Sequence, residues 1–244
     1  MILAAVAALV GAAVQSATGF GFALVLSPAL FAVLDPAEAV TTALALGLFH
    51  NLLVTIEHGR PRHVDWRRLA PVLVAAVPGM AVGVLLLTLL SKDALQVGVG
   101  VAVIAAAVWQ LRRRSSGAVR AVGRITGWVA GFVSGALTTS ISVSGPPIVL
   151  WLEAHGVRPV EFRASLAASF LSINLAGIVL LLAAEGSGAL DAGVVLPLLG
   201  FVLVGYGLGT FAFRRFPAER FSTAVLTLVV ATGAASVLAG VGVL

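Results

Sequence analysis

This 244-residue sequence has no cysteine and few charged residues. Only 10% of its residues are charged, whereas a soluble globular domain has about 25%. By contrast, 60% are hydrophobic and the mean hydropathy is +1.11. This composition excludes a soluble globular fold and predicts an integral membrane protein. The complete absence of cysteine excludes disulfides, thiolate metal sites and thiol catalysis.

The sequence also lacks the motifs of common membrane enzymes and pumps. It contains no HExxH zinc motif, no GxSxG nucleophile elbow, no GxxxxGK[ST] phosphate loop and no pair of carboxylates within an apolar run. Because a nucleophile, an acid–base pair and metal ligands are all missing, we expect no enzymatic activity, no cofactor and no bound metal. Coupling to ATP is not expected either.

Apolar runs long enough to cross a bilayer recur along the chain. About 20 helical residues cross the ~30 Å hydrocarbon core. Uninterrupted runs of this kind cover residues 37–56, 69–90, 94–111, 160–183, 192–213 and 221–243. Two more apolar stretches, 1–34 and 121–156, are too long for one straight helix and are interrupted by Gly, Ser, Thr and Pro. The pattern predicts an all-α membrane fold with about eight membrane segments.

The order of these segments occurs twice. Residues 35–51 align without gaps on residues 158–174, at an offset of 123. We therefore predict a first repeat over residues 1–114 and a second over residues 115–244, each a broken or re-entrant helical hairpin followed by three transmembrane helices. An odd number of full crossings inverts the second repeat relative to the first, as in many secondary transporters.

Basic residues divide unevenly between the two ends of the predicted helices. Suppose that each interrupted stretch enters and leaves the membrane on the same side. All of the 15 basic residues except Lys92 then lie on one side of the membrane. Basic loops mark the cytoplasmic side, so we expect both termini outside. The excess of arginine over lysine is typical of a GC-rich bacterium and hence of a plasma (inner) membrane. The pI near 11.2 then reflects membrane topology, and no nucleic-acid partner is expected.

The interruptions are candidate ligand sites. They read QSATGFGF at residues 15–22 and TTSISVSGPP at residues 138–147. Backbone groups freed inside a membrane are tolerated only against protein or a water-filled cavity. Glycine allows close approach, hydroxyls donate hydrogen bonds, and the following helix N-terminus attracts anions. Close packing of helices through small residues is the alternative. The residues predicted to bind a small anion are Ser16, Thr18, Gly19, Gly21, Thr139, Ser142, Ser144, Gly145 and Pro146.

Four polar side chains in the helices that follow are further candidates. Asn51 and Asn174 lie roughly 22 Å along their helices at ~1.5 Å per residue, so each amide needs a partner, either the ligand or a neighbouring helix. Arg163 lies one turn inside its span, where it either snorkels or contacts an anion. His50 could carry a coupling proton, because histidine titrates near neutrality.

Three strings are similar to those of a known family: GFGFALVLSPAL at residues 19–30, SGPPIVLWL at 144–152 and EFRASLAASFLSIN at 161–174. In order and spacing they resemble the TauE/SafE sulfite exporter family, also called the toluene-sulfonate uptake permease family. The resemblance extends over essentially the whole chain. It implies a transporter of sulfur-containing anions or small organic acids, including sulfite, thiosulfate and organosulfonates, in either direction. The first interruption reads GFGF where relatives are commonly richer in glycine.

We therefore expect a secondary transporter of small anions, most simply sulfur oxyanions or organosulfonates, that alternates access around a site between the two interruptions. A passive anion channel built on the same interruptions and a carrier of small carboxylates are the alternatives. The expected partners are the anionic substrate and the lipid bilayer. Coupling to H⁺ or Na⁺ and assembly as a homodimer stay open.

Overall fold

The computed structural model describes residues 1–58, 64–113, 125–215 and 230–242. Helices make up nearly all of this part of the chain and no strand occurs in it, which confirms the predicted all-α class. Residues 221–229 of the last predicted helix lie outside the described residues. So do six of the arginines assigned to loops: Arg60, Arg62, Arg114, Arg120, Arg124 and Arg220.

Two short helices precede the long helices in each half of the chain. In chain order they are α1 (Ile2–Thr18), α2 (Phe22–Val33), α3 (Pro36–His58), α4 (Trp66–Leu89), α5 (Lys92–Arg113), α6 (Ile125–Ile141), α7 (Gly145–Ala154), α8 (Pro159–Glu185), α9 (Ala192–Arg215) and α10 (Val230–Gly240). A short 3₁₀ helix, Ser187–Ala189, lies between α8 and α9.

Four of the described helices, α3, α4, α8 and α9, are long and apolar enough to cross a membrane. Helix α5 covers the predicted span 94–111, and α10 covers residues 230–240 of the predicted span 221–243. Large apolar side chains face outward on the long helices, for example Leu89 on α4 and Leu196 on α9, which are 71% and 65% exposed. Such an apolar exterior is stable against lipid.

The helix boundaries recur along the chain at a nearly constant offset. Helix α6 begins and ends 123 residues after α1, and α8 begins 123 residues after α3. Helix α9 begins and ends 126 residues after α4. Both halves thus present the same succession of two short helices followed by long ones.

The most extensive helix contacts join one half of the chain to the other. Helix α1 packs against α9, α6 packs against α4, and α3 packs against α8. These contacts are close: a methyl group on Gly83 of α4 would overlap the Ala136 carbonyl of α6, and one on Gly209 of α9 would overlap the Ala13 carbonyl of α1. Because Gly83 and Gly209 differ by 126 positions and Ala13 and Ala136 by 123, the two contacts are equivalent.

Buried apolar side chains form two clusters. One includes Leu26, Phe31 and many side chains of α1, α2, α3 and α5. The other is built from α4, α6, α7 and α8 and includes Met80 and Leu166. Phe20, in the gap between α1 and α2, packs against both clusters. The first interruption therefore lies at the boundary between them.

Candidate functional site

The first break in the chain separates α1 from α2 at residues 19–21. Gly19 has φ 90° and Gly21 has φ 111°, backbone conformations that residues with side chains rarely adopt. The Gly19 N–H donates to the Gln15 carbonyl oxygen at 2.7 Å and so caps the end of α1. Helix α2 then begins at Phe22 without a side-chain cap. The break lies within the predicted string.

The second break, at residues 142–144, has the same design. Ser142 has φ 58°, which is uncommon for a residue with a side chain and is found mostly at turns and functional sites. It occupies the position equivalent to Gly19, and its N–H donates to the Thr138 carbonyl oxygen at 2.9 Å. Helix α7 begins at Gly145, again without a side-chain cap. This break also lies within its predicted string.

A cavity lies between the two breaks. It leaves about 30 Å³ for the centres of water-sized molecules, which is room for about two waters. Both breaks, the first turns of α2 and α7, and the middle of α3 and α8 contribute to its wall. Its lining includes six of the predicted site residues: Gly21, Asn51, Ser142, Ser144, Gly145 and Asn174.

The wall of the cavity is built from equivalent positions of the two halves. Asn51 and Asn174 both line it, and so do Gly21 and Ser144. Both pairs are related by the offset of 123 residues. The cavity therefore lies where the two halves meet and present the same positions to each other.

Gln15, which the sequence analysis did not single out, connects the first break to Asn51. Its side-chain Nε2 donates to Asn51 Oδ1 at 2.9 Å, and its Oε1 accepts from the Phe22 N–H at 3.1 Å. Asn51 Nδ2 donates in turn to the Gly47 carbonyl oxygen at 2.7 Å. Gln15 opens the string QSATGFGF, so an amide inside an apolar helix was the signal that could have found it.

Asn174 differs from Asn51 in having no hydrogen-bond partner in the described part of the chain. Only 6% of its surface is exposed, and it lines the cavity. A methyl group on Gly47 would lie 2.8 Å from Asn174 Nδ2, so the glycine makes room for this amide. An unsatisfied amide in an apolar interior is costly unless a ligand or water satisfies it.

The other predicted site residues lie outside the described cavity wall. Thr18 donates from Oγ1 to the Phe20 carbonyl oxygen at 2.6 Å and so stabilises the first break. Thr139 donates to the Met80 carbonyl oxygen at 2.7 Å, in the contact between α6 and α4. The predicted residues absent from the wall are Ser16, Thr18, Gly19, Thr139, Pro146, Arg163 and His50.

Arg163 reaches from α8 to the end of α1. One of its terminal nitrogens donates to the Ala17 carbonyl oxygen at 3.0 Å, and its side chain passes beside Gly19. A cation at a helix C-terminus complements the helix dipole. Arg163 therefore contacts the first break from outside the cavity. Its equivalent in the first half is Val40, which is completely buried.

His50 is completely buried behind the first break. Its Nε2 lies 3.1 Å from Ser16 Oγ and 3.2 Å from the Ala12 carbonyl oxygen. Its ring stacks on Phe22, which lines the cavity, at a centroid distance of 5.5 Å. Its Nδ1 is buried and has no partner in the described residues. His50 is thus next to the cavity, with one aromatic ring between them.

Long apolar helices with outward-facing apolar side chains indicate a multi-pass membrane protein, and a small cavity with amide and hydroxyl side chains in its wall lies between its two helix breaks. Residues 3–236 match the Sulfite exporter TauE/SafE family, and the chain belongs to that family. Its members are transporters, not enzymes, and the family implies a small anionic substrate. The resemblance predicted from the sequence is thereby confirmed.

A curated relative carries the name of the same family. The probable sulfite/organosulfonate exporter TauE of Cupriavidus necator is 30% identical over 232 residues, which are 93% of this chain and 86% of the relative. No solved structure matched the chain significantly.

Proposed function

We propose that this protein is a secondary transporter of small anions and that sulfur oxyanions or organosulfonates, such as sulfite and thiosulfate, are its substrates. The observation that carries the proposal is the buried Asn174 amide, which lines the cavity without a partner. The family and the name of the Cupriavidus necator relative support the sulfur-containing class of substrate.

The electrostatics of the cavity favour an anion. Helices α2 and α7 both begin at its wall, so their N-termini place partial positive charge beside it. Ser142 and Ser144 add hydroxyl groups. Among the described residues, no carboxylate lines the cavity to repel an anion. Lysine and arginine are also absent from the described part of the wall, so amide, hydroxyl and backbone N–H groups would hold the anion.

Alternating access would follow from the two halves. We propose that residues 1–114 and 115–244 are inverted repeats that rock against each other around the cavity. The equivalent contacts of α1 with α9 and of α6 with α4 support this duplication. We also propose that the protein lies in a bacterial plasma membrane with its basic loops in the cytoplasm and both termini outside.

We further propose that His50 couples transport to proton movement. It is packed by Ser16 and Ala12 of α1, Phe22 of α2 and Tyr206 of α9. Among these neighbours Tyr206 is the one other titratable group, and none is charged. Because no acceptor faces Nδ1, a second proton on the ring requires these helices to move. Protonation would then accompany the change of access.

A thermal-shift screen tests the substrate class. A ligand that binds only the folded state raises the melting temperature. We expect purified protein to be stabilised by sulfite, thiosulfate or taurine more than by chloride or acetate, and the Asn174→Leu variant to lose this response. Stabilisation by carboxylates alone would show that the substrates are carboxylates and not sulfur-containing anions. A melting temperature that none of these anions raises would overturn the proposal that the protein binds an anion. In proteoliposomes, saturable uptake with counterflow supports a carrier, whereas an ohmic current supports a channel.

A further inference from the structure

We infer that Gln15 is a positioning residue that makes the two halves of the cavity unequal: it fixes Asn51 and the start of α2, and it leaves Asn174 as the amide that binds the anion. The inference rests on the proposed function, since it assumes that an anion binds in the cavity.

A chain of hydrogen bonds fixes the orientation of the first-half amides. At one end the Phe22 N–H can only donate, so Gln15 must present Oε1 to it and Nε2 to Asn51. At the other end the Gly47 carbonyl can only accept, so Asn51 must present Nδ2 to it. The two backbone groups therefore determine which way both amides point. Asn51 has its oxygen occupied and one of its two N–H groups used.

The second half lacks this chain because of one residue. The position equivalent to Gln15 is Thr138, whose side chain is shorter and whose hydroxyl donates to the Ser134 carbonyl oxygen of its own helix at 2.6 Å. It therefore leaves Asn174 without a partner, and both N–H groups of that amide are free for a ligand. Asn51 and Asn174 thus occupy equivalent positions but differ in the number of N–H groups that are free to bind an anion.

The asymmetry has a consequence for binding. Gln15 connects α1, α2 and α3, so it keeps the start of α2 and its N–H groups aimed at the cavity. Without Gln15, the residues of the first break would have to become ordered each time an anion binds. Affinity should fall for that reason, even though the anion need not touch Gln15.

Gln15→Met is the test variant, because methionine has a similar length and forms neither hydrogen bond. Thr138→Val is the matched control at the equivalent position. For sulfite uptake into proteoliposomes under nitrogen, we expect Gln15→Met to raise KM about tenfold while the maximal rate changes little. Thr138→Val should stay close to wild type. A wild-type KM in Gln15→Met would overturn the inference.

A double-mutant cycle separates positioning from a general effect on packing. In an Asn51→Leu background the Gln15–Asn51 hydrogen bond is already absent and Gln15 keeps only its bond to the Phe22 N–H, so adding Gln15→Met should raise KM by a smaller factor than it does in the wild-type background. Full multiplication of the two effects would show that Gln15 acts independently of Asn51 and would contradict the inference.

A measurement without ligand keeps the inference separate from the proposed function. Hydrogen exchange in the segment 19–25 should be faster in Gln15→Met than in wild type or Thr138→Val, because the Phe22 N–H loses its acceptor. Unchanged exchange would overturn the positioning role whether or not sulfite is transported. Faster exchange in a protein that takes up no anion would instead show that the proposed function had failed.

Discussion

Arg163 donates a 3.0 Å hydrogen bond to the Ala17 carbonyl oxygen and so connects the second half of the chain to the first break. Because a cation stabilises the end of α1, we expect Arg163→Met to lower the free energy of unfolding by about 1–2 kcal/mol. The measurement is thermal unfolding in detergent. Arg163→Lys keeps the charge and should lose less stability. Equal losses in both variants would show that the guanidinium geometry, and not the charge, is what matters.

Gly47→Ala should weaken anion binding. The added methyl group would lie 2.8 Å from Asn174 Nδ2 and would displace the amide from the cavity. We expect about a tenfold lower affinity for the anion found in the screen, measured by titration calorimetry. Gly200→Ala on α9 is the control, because its methyl group would meet nothing within 4 Å. Wild-type affinity in Gly47→Ala would argue against binding by Asn174.

Gly209→Ala should destabilise the fold, whereas Gly207→Ala two residues away should not. A methyl group on Gly209 would overlap the Ala13 carbonyl and force α1 and α9 apart, and one on Gly207 would meet nothing within 4 Å. Overpacking of this kind costs about 1–3 kcal/mol. The check is the melting temperature of each variant. Similar values for both would contradict the close packing of α1 on α9.

His50→Gln should uncouple transport from the proton gradient. Glutamine keeps polar groups behind the first break but cannot be protonated, so uptake driven by an imposed pH gradient should be lost. Counterflow, which needs no net proton movement, should continue. His155→Gln is the control, because His155 lies at the end of α7 and its Nδ1 contacts the Trp151 carbonyl oxygen at 2.8 Å. Gradient-driven uptake that persists in His50→Gln would remove the proposed coupling role.

The proposed topology can be tested by cysteine labelling, because the natural sequence contains no cysteine. Ser91 and Trp66 are both exposed, at opposite ends of α4. In intact cells, we expect a membrane-impermeant maleimide to label Ser91→Cys directly, and to label Trp66→Cys only after permeabilisation. The reverse pattern would place the basic loops outside the cell and overturn the proposed orientation.

Much of the fold was predictable because the signals are local. Long apolar runs predict helices that cross a membrane, and each of the described runs is helical. The breaks were found because Gly, Ser and Thr interrupt such runs. Gly19 and Ser142 end their helices in left-handed conformations within the strings QSATGFGF and TTSISVSGPP.

The composition of the site was less predictable. Ser16 and Gln15 are neighbours in one string, yet Gln15 lines the cavity and Ser16 lies against His50. Adjacent residues point about 100° apart around a helix. When a helix is apolar on most sides, the sequence does not indicate which side faces the cavity. Ser16 was therefore predicted to be a site residue, whereas Gln15 was not.

Composition and hydropathy were enough to predict an all-α membrane protein and to locate two helix breaks, because these properties depend on residues close together in the chain. The partners of the polar side chains depended on tertiary structure, because hydrogen bonding requires contact between helices that are distant in sequence. Asn51 and Asn174 occupy equivalent positions in the sequence. Gln15 from α1 reaches Asn51, whereas no described side chain reaches Asn174.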